Sequence, residues 1–110
     1  KAAAVGFDWD DVSGAQQKVL EEAKELSKAI ESGDKEHISE ELGDLLFSAV
    51  NVSRFVKCDA EEALTAASDK FIARFIRVEQ LARERGIDME SAPLEKLDEF
   101  WDEAKAESRK

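Results

Sequence analysis

Two pairs of acidic residues with the same spacing stand out in this chain of 110 residues. Glu22 and Glu25 form one pair, and Glu41 and Asp44 form the other, and each pair is spaced i, i+3. In a helix this spacing places both carboxylates on one face, one turn apart. Converging carboxylates repel one another unless a cation lies among them, and such oxygen ligands favour Mg²⁺ or Mn²⁺. The pairs therefore predict a divalent-metal site.

The two pairs also hold the same position relative to the apolar stripes of their helices. A helix advances about 100° per residue. Glu25 lies about 60° from Glu22 on the side away from the stripe, and Asp44 lies about 60° from Glu41 in the same sense. Solvated helix faces often carry acidic pairs, but random surface charge has no reason to repeat its offset. Two antiparallel helices could bring the four groups together, and Asn51 could join them from two turns beyond Asp44.

Other kinds of metal or nucleotide site lack their ligands in this sequence. The only histidine, His37, has no Glu-x-x-His motif around it and is expected at the surface near a helix start. One histidine and one cysteine do not make a zinc site. No EF-hand loop, Walker-A motif or dinucleotide-binding glycine motif occurs. Since all-carboxylate Mg²⁺ sites usually bind substrate phosphates, a nucleotide would bind through metal ions and side chains.

Cations and an aromatic ring suited to a nucleotide lie later in the chain. Lys70 and Arg74 are spaced i, i+4, and Arg74 is tilted partly into an apolar stripe, where a guanidinium needs an anionic partner. That partner could be a phosphate or an acidic side chain on a neighbouring helix. Trp101 and Lys105 repeat the spacing on the last helix. Trp101 could either stack on a base or pack in the core.

Helical periodicity covers most of the chain, which has only one proline and five glycines. The predicted helices run from Ser13, as N-cap, to about Glu31, from Asp34, as N-cap, to about Val56, from Asp59 to Gly86, and from Pro93 onward. The segment before them is irregular, with Phe7 and Trp9 as anchors. This pattern predicts an all-α fold, an antiparallel helical bundle in a single domain over residues 1–110.

Apolar stripes indicate which side of each helix is buried. The inward-facing residues are expected to be Val19, Ala23, Leu26 and Ile30, then Ile38, Leu42, Leu45, Leu46, Ala49, Val52 and Val56, and then Ala63, Leu64, Ala67, Phe71, Phe75, Val78 and Ala82. Long helices in so short a chain often complete their core by oligomerising. We therefore expect the bundle to be completed by dimerisation, as a homodimer or a higher homo-oligomer.

Composition limits the partners and the compartment. With 26 acidic and 16 basic residues the formal charge is −10, which disfavours nucleic acid or an anionic membrane as the main partner. A single cysteine cannot form an internal disulfide, so a cytoplasmic location is expected. No apolar run approaches the roughly 20 residues of a membrane span. The chain begins Lys-Ala-Ala-Ala rather than with Met, and we expect it to be either a shortened chain or one domain of a longer protein.

The runs VLEEAKEL and SEELGDLLFSAVNVSRF resemble the EExxE…ExxD signature of MazG-type nucleoside triphosphate pyrophosphohydrolases. The opening KAAAVGFDW and the later SDKFIARF are also similar to that family. The resemblance extends from about Val5 to Lys105 and is strongest to the second domain of two-domain MazG proteins.

This resemblance implies a dimeric all-α enzyme that uses Mg²⁺ to cleave nucleoside triphosphates to monophosphate and pyrophosphate, which clears unwanted nucleotides from the pool. By motif position it implies metal-binding and catalytic residues at Glu22, Glu25, Glu41 and Asp44, phosphate contacts at Lys70 and Arg74, and positions near the nucleotide at Trp101 and Lys105. Two alternatives remain: a non-catalytic metal- or nucleotide-binding module, and an acidic structural adaptor.

Overall fold

A computed structural model describes residues 1–6 and 8–109 of the chain. The described residues form a short 3₁₀ turn and four α-helices, and none of them lies in a strand. The helices are α1 (Val12–Ser32), α2 (Lys35–Phe55), α3 (Ala60–Glu84) and α4 (Leu94–Ser108). The all-α prediction is confirmed. By its contacts the chain divides into two compact units, residues 1–62 and residues 63–110.

The first unit is built on a helical hairpin of α1 and α2. Gly33 ends α1 with a left-handed φ of 73°, and its N–H donates to the carbonyls of Ala29 and Ile30. Asp34 begins the next helix by accepting hydrogen bonds from the N–H groups of Glu36 and His37. Only two residues separate the helices, so the chain turns back on itself and α1 packs along α2. Both predicted boundaries are confirmed.

The N-cap predicted for α1 is wrong by two residues. Asp11, not Ser13, is the cap, and its carboxylate accepts hydrogen bonds from both the N–H and the hydroxyl of Ser13. Aspartate and serine are almost equally good N-caps, so propensity does not separate two candidates this close together. Phe7, predicted as an anchor of the preceding segment, lies outside the described residues.

The second unit packs α4 against the C-terminal half of α3. Its core consists of five buried residues: Val78, Leu81, Ala82, Phe100 and Ala104. Two ion pairs flank the core, with Arg77 Nε 2.7 Å from Glu107 Oε2 and Arg85 Nη2 2.7 Å from Glu103 Oε1. Gly86, with a φ of 67°, follows the end of α3 as predicted, and Pro93 takes the N-cap position of α4.

Many predicted core residues are exposed in the single chain. The stripe of α3 is buried at Val78 and Ala82 but not in its first half, where Leu64 is 69% exposed. Ile30, predicted to face inward, is 57% exposed, because the contact face of α1 is centred on Ala15 and Ala29. Periodicity finds the apolar side of a helix but does not say whether one chain can cover it. None of the helices in the described part of the chain has an apolar stretch of the length that a membrane span requires.

Candidate metal centre

Three of the four predicted metal-binding carboxylates converge in the first unit. Glu22 comes from α1, and Glu41 and Asp44 come from α2. Each offers a carboxylate oxygen, and these oxygens all lie within 4.8 Å of one another. The hairpin is what unites them, because it places the middle of α1 beside the first half of α2. We call these three residues the carboxylate cluster.

Burial and mutual repulsion make the cluster electrostatically unfavourable without a cation. Glu22 is only 8% exposed, although it carries a charge, and Glu41 is partly buried. The pKa of Glu41 is raised, first by burial and then by the negative charges of Asp44 and Glu22. A raised carboxyl pKa means that the ionised form is disfavoured where it stands. A bound cation would remove that penalty.

Two basic side chains already lie against the cluster. Lys18 Nζ is 2.9 Å from Glu22 Oε1, and His37 Nε2 is 3.4 Å from Glu41 Oε1. The hydrogen bond to Glu22 and then the charge of Glu22 raise the pKa of Lys18. In both helices the basic residue precedes its acid by one turn. The lysine ammonium therefore partly neutralises the Glu22 carboxylate.

Glu25, the fourth predicted ligand, lies outside the cluster. Its side chain is about half exposed, and its Oε1 is 3.5 Å from Lys28 Nζ. The helical offset predicts Glu25 on the same border of α1 as Glu22, but it does not determine how far around that border α2 reaches. The assignment of Glu25 as a ligand stays a prediction.

A small cavity of about 250 Å³ opens at the cluster. We call it the carboxylate cavity; its lining residues are Trp9, Lys18, Glu22, Asp44, Phe47, Ser48 and Asn51. Asn51 therefore lies beside the carboxylates, where the helical offset placed it. Ser48 is buried and donates its hydroxyl to the carbonyl of Leu45, so this hydroxyl is already engaged.

The remaining predicted substrate residues belong to the second unit. Arg74 is partly buried, and among the described residues its Nε has no hydrogen-bond partner. Lys70, one turn earlier, is exposed. Trp101 packs on Phe71, with ring centroids 5.1 Å apart, and Lys105 is partly buried. The alternative that Arg74 pairs with a neighbouring acid finds no support in the ion pairs of the described residues.

The contacts of Lys18 and His37 were missed by the sequence argument. Both precede a predicted ligand by four residues, and this i, i+4 spacing predicts contact between the two side chains of a helix. His37 was expected at a helix start on the surface. It does lie in the first turn of α2, and its ring contacts Glu41, one turn further along the helix.

The donor set fits a hard divalent cation. The cluster offers carboxylate oxygens alone, and Mg²⁺ and Mn²⁺ prefer oxygen ligands. Asn51 lies among the residues that line the adjoining cavity. Fold and site together define an all-α domain whose helical hairpin carries a carboxylate-rich candidate metal centre. Comparison with known proteins then identifies the family.

The chain belongs to the MazG nucleotide pyrophosphohydrolase domain family, whose model matches residues 11–79. It is 49% identical over 104 residues to the "nucleoside triphosphate pyrophosphohydrolase/pyrophosphatase MazG" of Thermotoga maritima, covering 94% of this chain and 40% of that protein. It is 38% identical over 107 residues to the "nucleoside triphosphate pyrophosphohydrolase" of Escherichia coli K12, covering 96% of this chain and 41% of that protein. The matched segment 11–79 contains the whole carboxylate cluster.

A further relative has no function in its name. The protein YabN of Bacillus subtilis is 48% identical over 80 residues, covering 73% of this chain and 16% of that protein. This chain thus spans about two fifths of the length of the first two relatives and a smaller part of the third.

Proposed function

We propose that this domain is a Mg²⁺-dependent nucleoside triphosphate pyrophosphohydrolase. It would hydrolyse NTP or dNTP to the monophosphate and pyrophosphate, and so remove unwanted nucleotides. The observation that carries the proposal is the convergence of three carboxylate oxygens within 4.8 Å, inside the segment that matches the family. The relatives named as pyrophosphohydrolases support the same reaction.

The carboxylate cluster would hold the ion, with Glu25 as a further ligand from the outer side of α1. Bound there, Mg²⁺ or Mn²⁺ supplies neutralisation of phosphate oxygens and lowers the pKa of a coordinated water. Asn51, in the same cavity, offers both an N–H donor and a carbonyl acceptor to the substrate. The low exposure of Glu22 keeps water from competing for its oxygens, which strengthens the attraction for a cation.

The reaction breaks the bond between the α- and β-phosphates and adds the elements of water across it. Negative charge gathers on the departing pyrophosphate, and fixed cations aimed at that charge stabilise the transition state. Lys70 and Arg74 are the proposed cations. Arg74 is suited to this because its buried Nε has no partner among the described residues. Trp101 and Lys105 would contact the nucleotide.

A product assay tests the reaction type. Purified protein is incubated with a mixture of nucleoside triphosphates and Mg²⁺, and pyrophosphate and orthophosphate are measured separately. Equal amounts of pyrophosphate and nucleoside monophosphate are expected. Orthophosphate with nucleoside diphosphate would contradict the proposal. Binding of Mg²⁺ and nucleotide without turnover would favour the non-catalytic module instead, and a melting midpoint indifferent to Mg²⁺ would favour the structural adaptor.

Matched variants connect the activity to the cluster. Glu41→Gln removes a clustered carboxylate and should lower kcat/KM on the order of 100-fold or more. Glu40→Gln makes the same chemical change at the exposed neighbouring position and should keep activity within about threefold. Equal effects of the two variants would place the chemistry elsewhere.

We also propose that a second copy of the chain covers the exposed apolar side chains. Large hydrophobic residues outside the cavities remain open to solvent on both units: Leu20, Ile30, Leu42, Leu46, Val50, Leu64, Phe71, Ile72, Phe75 and Ile76. Monomeric proteins rarely expose so many of them. Light scattering should report a dimer or higher oligomer, and Leu64→Asp should shift it toward the monomer. A monomeric wild type at micromolar concentration would refute this.

The compartment proposed is the cytoplasm. Cys58 is a free, exposed thiol, which persists most readily where the surroundings are reducing.

A further inference from the structure

A second cavity adjoins the carboxylate cavity in the first unit. Its volume is about 590 Å³, within the range of ligand pockets of roughly 300–1,000 Å³. We call it the tryptophan cavity; its lining residues are Lys1, Ala2, Ala3, Gly6, Asp8, Trp9, Phe47, Asn51 and Arg54. Trp9, Phe47 and Asn51 line both cavities, so the two are adjacent. The larger space therefore lies beside any ligand held at the carboxylates.

The tryptophan cavity combines an aromatic surface with polar groups. Trp9 and Phe47 supply rings, and both are partly exposed rather than buried in a core. Asn51 supplies an amide at the junction of the two cavities. Ligand sites of this composition bind a flat aromatic group by its faces and orient its polar edges through a few polar contacts. A nucleobase is such a group, and in a nucleoside triphosphate it is covalently joined to the phosphates.

Trp9 is held in place by its neighbours. Arg54 on α2 donates two hydrogen bonds to the Asp8 carboxylate, from Nη1 to Oδ2 at 2.9 Å and from Nη2 to Oδ1 at 2.7 Å. Asp8 Oδ1 also accepts a hydrogen bond from the N–H of Trp9 at 2.9 Å. The Asp8–Arg54 pair thus ties the backbone on which Trp9 stands to α2, the helix that carries two clustered carboxylates.

Gly14 supports the same position from α1. A Cβ built at Gly14 would lie 2.6 Å from Cδ1 of Trp9 and 2.9 Å from its Cγ. The indole therefore occupies space that only glycine leaves open at this point of the helix. Asp11, which caps α1, stands between Trp9 and Gly14 in the chain, so the segment 8–14 is fixed at both ends.

We propose that the tryptophan cavity binds the base of the substrate nucleotide, with Trp9 as the stacking surface, and that Asp8, Arg54 and Gly14 position Trp9. This inference rests on the function proposed above, since the phosphates of that substrate are what the carboxylate cavity would hold. Stacking on tryptophan needs only the flat face of a base. Asp8 and Arg54 are hydrogen-bonded to each other and act on the ligand through Trp9, so they are positioning residues.

The test compares two ligands that differ by the nucleoside. α,β-Methylene-ATP resists cleavage at the scissile position, and inorganic tripolyphosphate carries the phosphates alone. Both are titrated calorimetrically in the presence of Mg²⁺. Trp9→Ala should weaken the binding of α,β-methylene-ATP about 10- to 100-fold and change the affinity for tripolyphosphate by no more than about twofold. The reason is that only the nucleotide loses a stacking partner. Trp9→Phe should restore most of the affinity.

Further variants test the positioning residues. Asp8→Asn, Arg54→Gln and Gly14→Ala should weaken the nucleotide selectively in the same way, and the exchanged pair Asp8→Arg with Arg54→Asp should recover part of the loss. Asp10→Asn, an exposed acid in the same segment, is the matched control and should behave like wild type. Circular dichroism confirms that each variant is folded.

The outcomes distinguish a failure of base binding at Trp9 from a failure of the proposed pyrophosphohydrolase function. Equal weakening of both ligands by Trp9→Ala would mean that Trp9 only supports the carboxylate cavity. Weakening of neither would place the base elsewhere. Either result overturns the inference while pyrophosphate release by the wild type still stands. A wild type that binds neither ligand with Mg²⁺ overturns both.

Discussion

Lys18 and Glu22 form a short ion pair across one turn of α1, with Nζ and Oε1 2.9 Å apart. This pair brings a positive charge to the most buried carboxylate of the cluster. The Lys18 ammonium and a bound metal ion would therefore compete for the same carboxylate oxygens of Glu22. The pair implies that metal binding and the position of Lys18 are coupled.

The first prediction follows from that coupling. Lys18→Gln removes the competing cation and its repulsion, so Mn²⁺ should bind roughly fivefold more tightly in the absence of nucleotide. The metal-free protein should melt at a lower temperature, because the carboxylates lose a counter-charge. Calorimetric titration with Mn²⁺ and thermal melts in EDTA measure the two effects. Lys24→Gln, on the same helix but in no ion pair of the described residues, should change neither; tighter binding in that variant too would indicate a general charge effect.

The second prediction is that Glu41 lowers the stability of the metal-free protein at neutral pH. Its pKa is raised by burial and by its acidic neighbours, so the folded chain binds that proton more tightly than the unfolded chain does. Stability therefore falls as the pH rises from the ordinary value of 4.5 through the raised value. Glu41→Gln should raise the melting temperature in EDTA at neutral pH and flatten that pH dependence.

Magnesium should reverse the order of thermal stability of the wild type and Glu41→Gln. Added Mg²⁺ binds the folded wild type and raises its melting midpoint, whereas Glu41→Gln should gain little. Melts at neutral pH with and without Mg²⁺ compare them. A variant that is less stable than wild type in EDTA would show that Glu41 stabilises the fold in its own right, and would contradict the repulsion argument.

The helix ends could be predicted from the sequence because their signals are local. Gly33 supplies the left-handed residue that ends α1, and Asp34 supplies an N-cap immediately after it. Such signals act within a few residues and need no tertiary information. Where two good caps stand close together, as at Asp11 and Ser13, the same local rules could not choose between them.

The candidate site was predictable only in part. The spacing predicted that Glu22, Glu41 and Asp44 would lie close together, since a helical hairpin brings equal offsets together. It did not place Glu25, because the turn of α1 that meets α2 depends on which small residues pack in the contact, here Ala15 and Ala29. The Asp8–Arg54 pair joins residues far apart in the chain, and no periodicity relates an irregular segment to a helix end.

The third prediction tests the core of the second unit. Phe100 is 1% exposed and is the largest side chain in that core. Phe100→Ala should lower the free energy of unfolding by about 3–5 kcal/mol, since it removes a buried ring and leaves a cavity. Leu94→Ala, on the same helix but 70% exposed, should stay within about 0.5 kcal/mol. Urea titration measures both, and similar losses would mean that α4 is not packed as described.

The fourth prediction uses the pH dependence of the Asp8–Arg54 pair. The hydrogen bonds from Arg54, opposed in part by burial, lower the pKa of Asp8 below its ordinary value of 3.8. The pair therefore stabilises the segment at every pH above 3.8, and this contribution is lost as the pH falls through the lowered value. Release of Asp8 should free Trp9. In a Trp101→Phe background, where Trp9 is the single tryptophan, its emission should shift to longer wavelength only as the pH falls below 3.8 and through the lowered pKa of Asp8.

Two variants in that background make the fluorescence result specific. Asp8→Asn should show the shifted emission already at neutral pH, because the neutral amide cannot hold the guanidinium in the same two-fold contact. Asp10→Asn should follow the unmodified background. Far-UV circular dichroism recorded on the same samples separates local release from unfolding of the helices. If the emission moves only when the helical signal is lost, Trp9 is held by the fold as a whole and the Asp8–Arg54 pair does not control it.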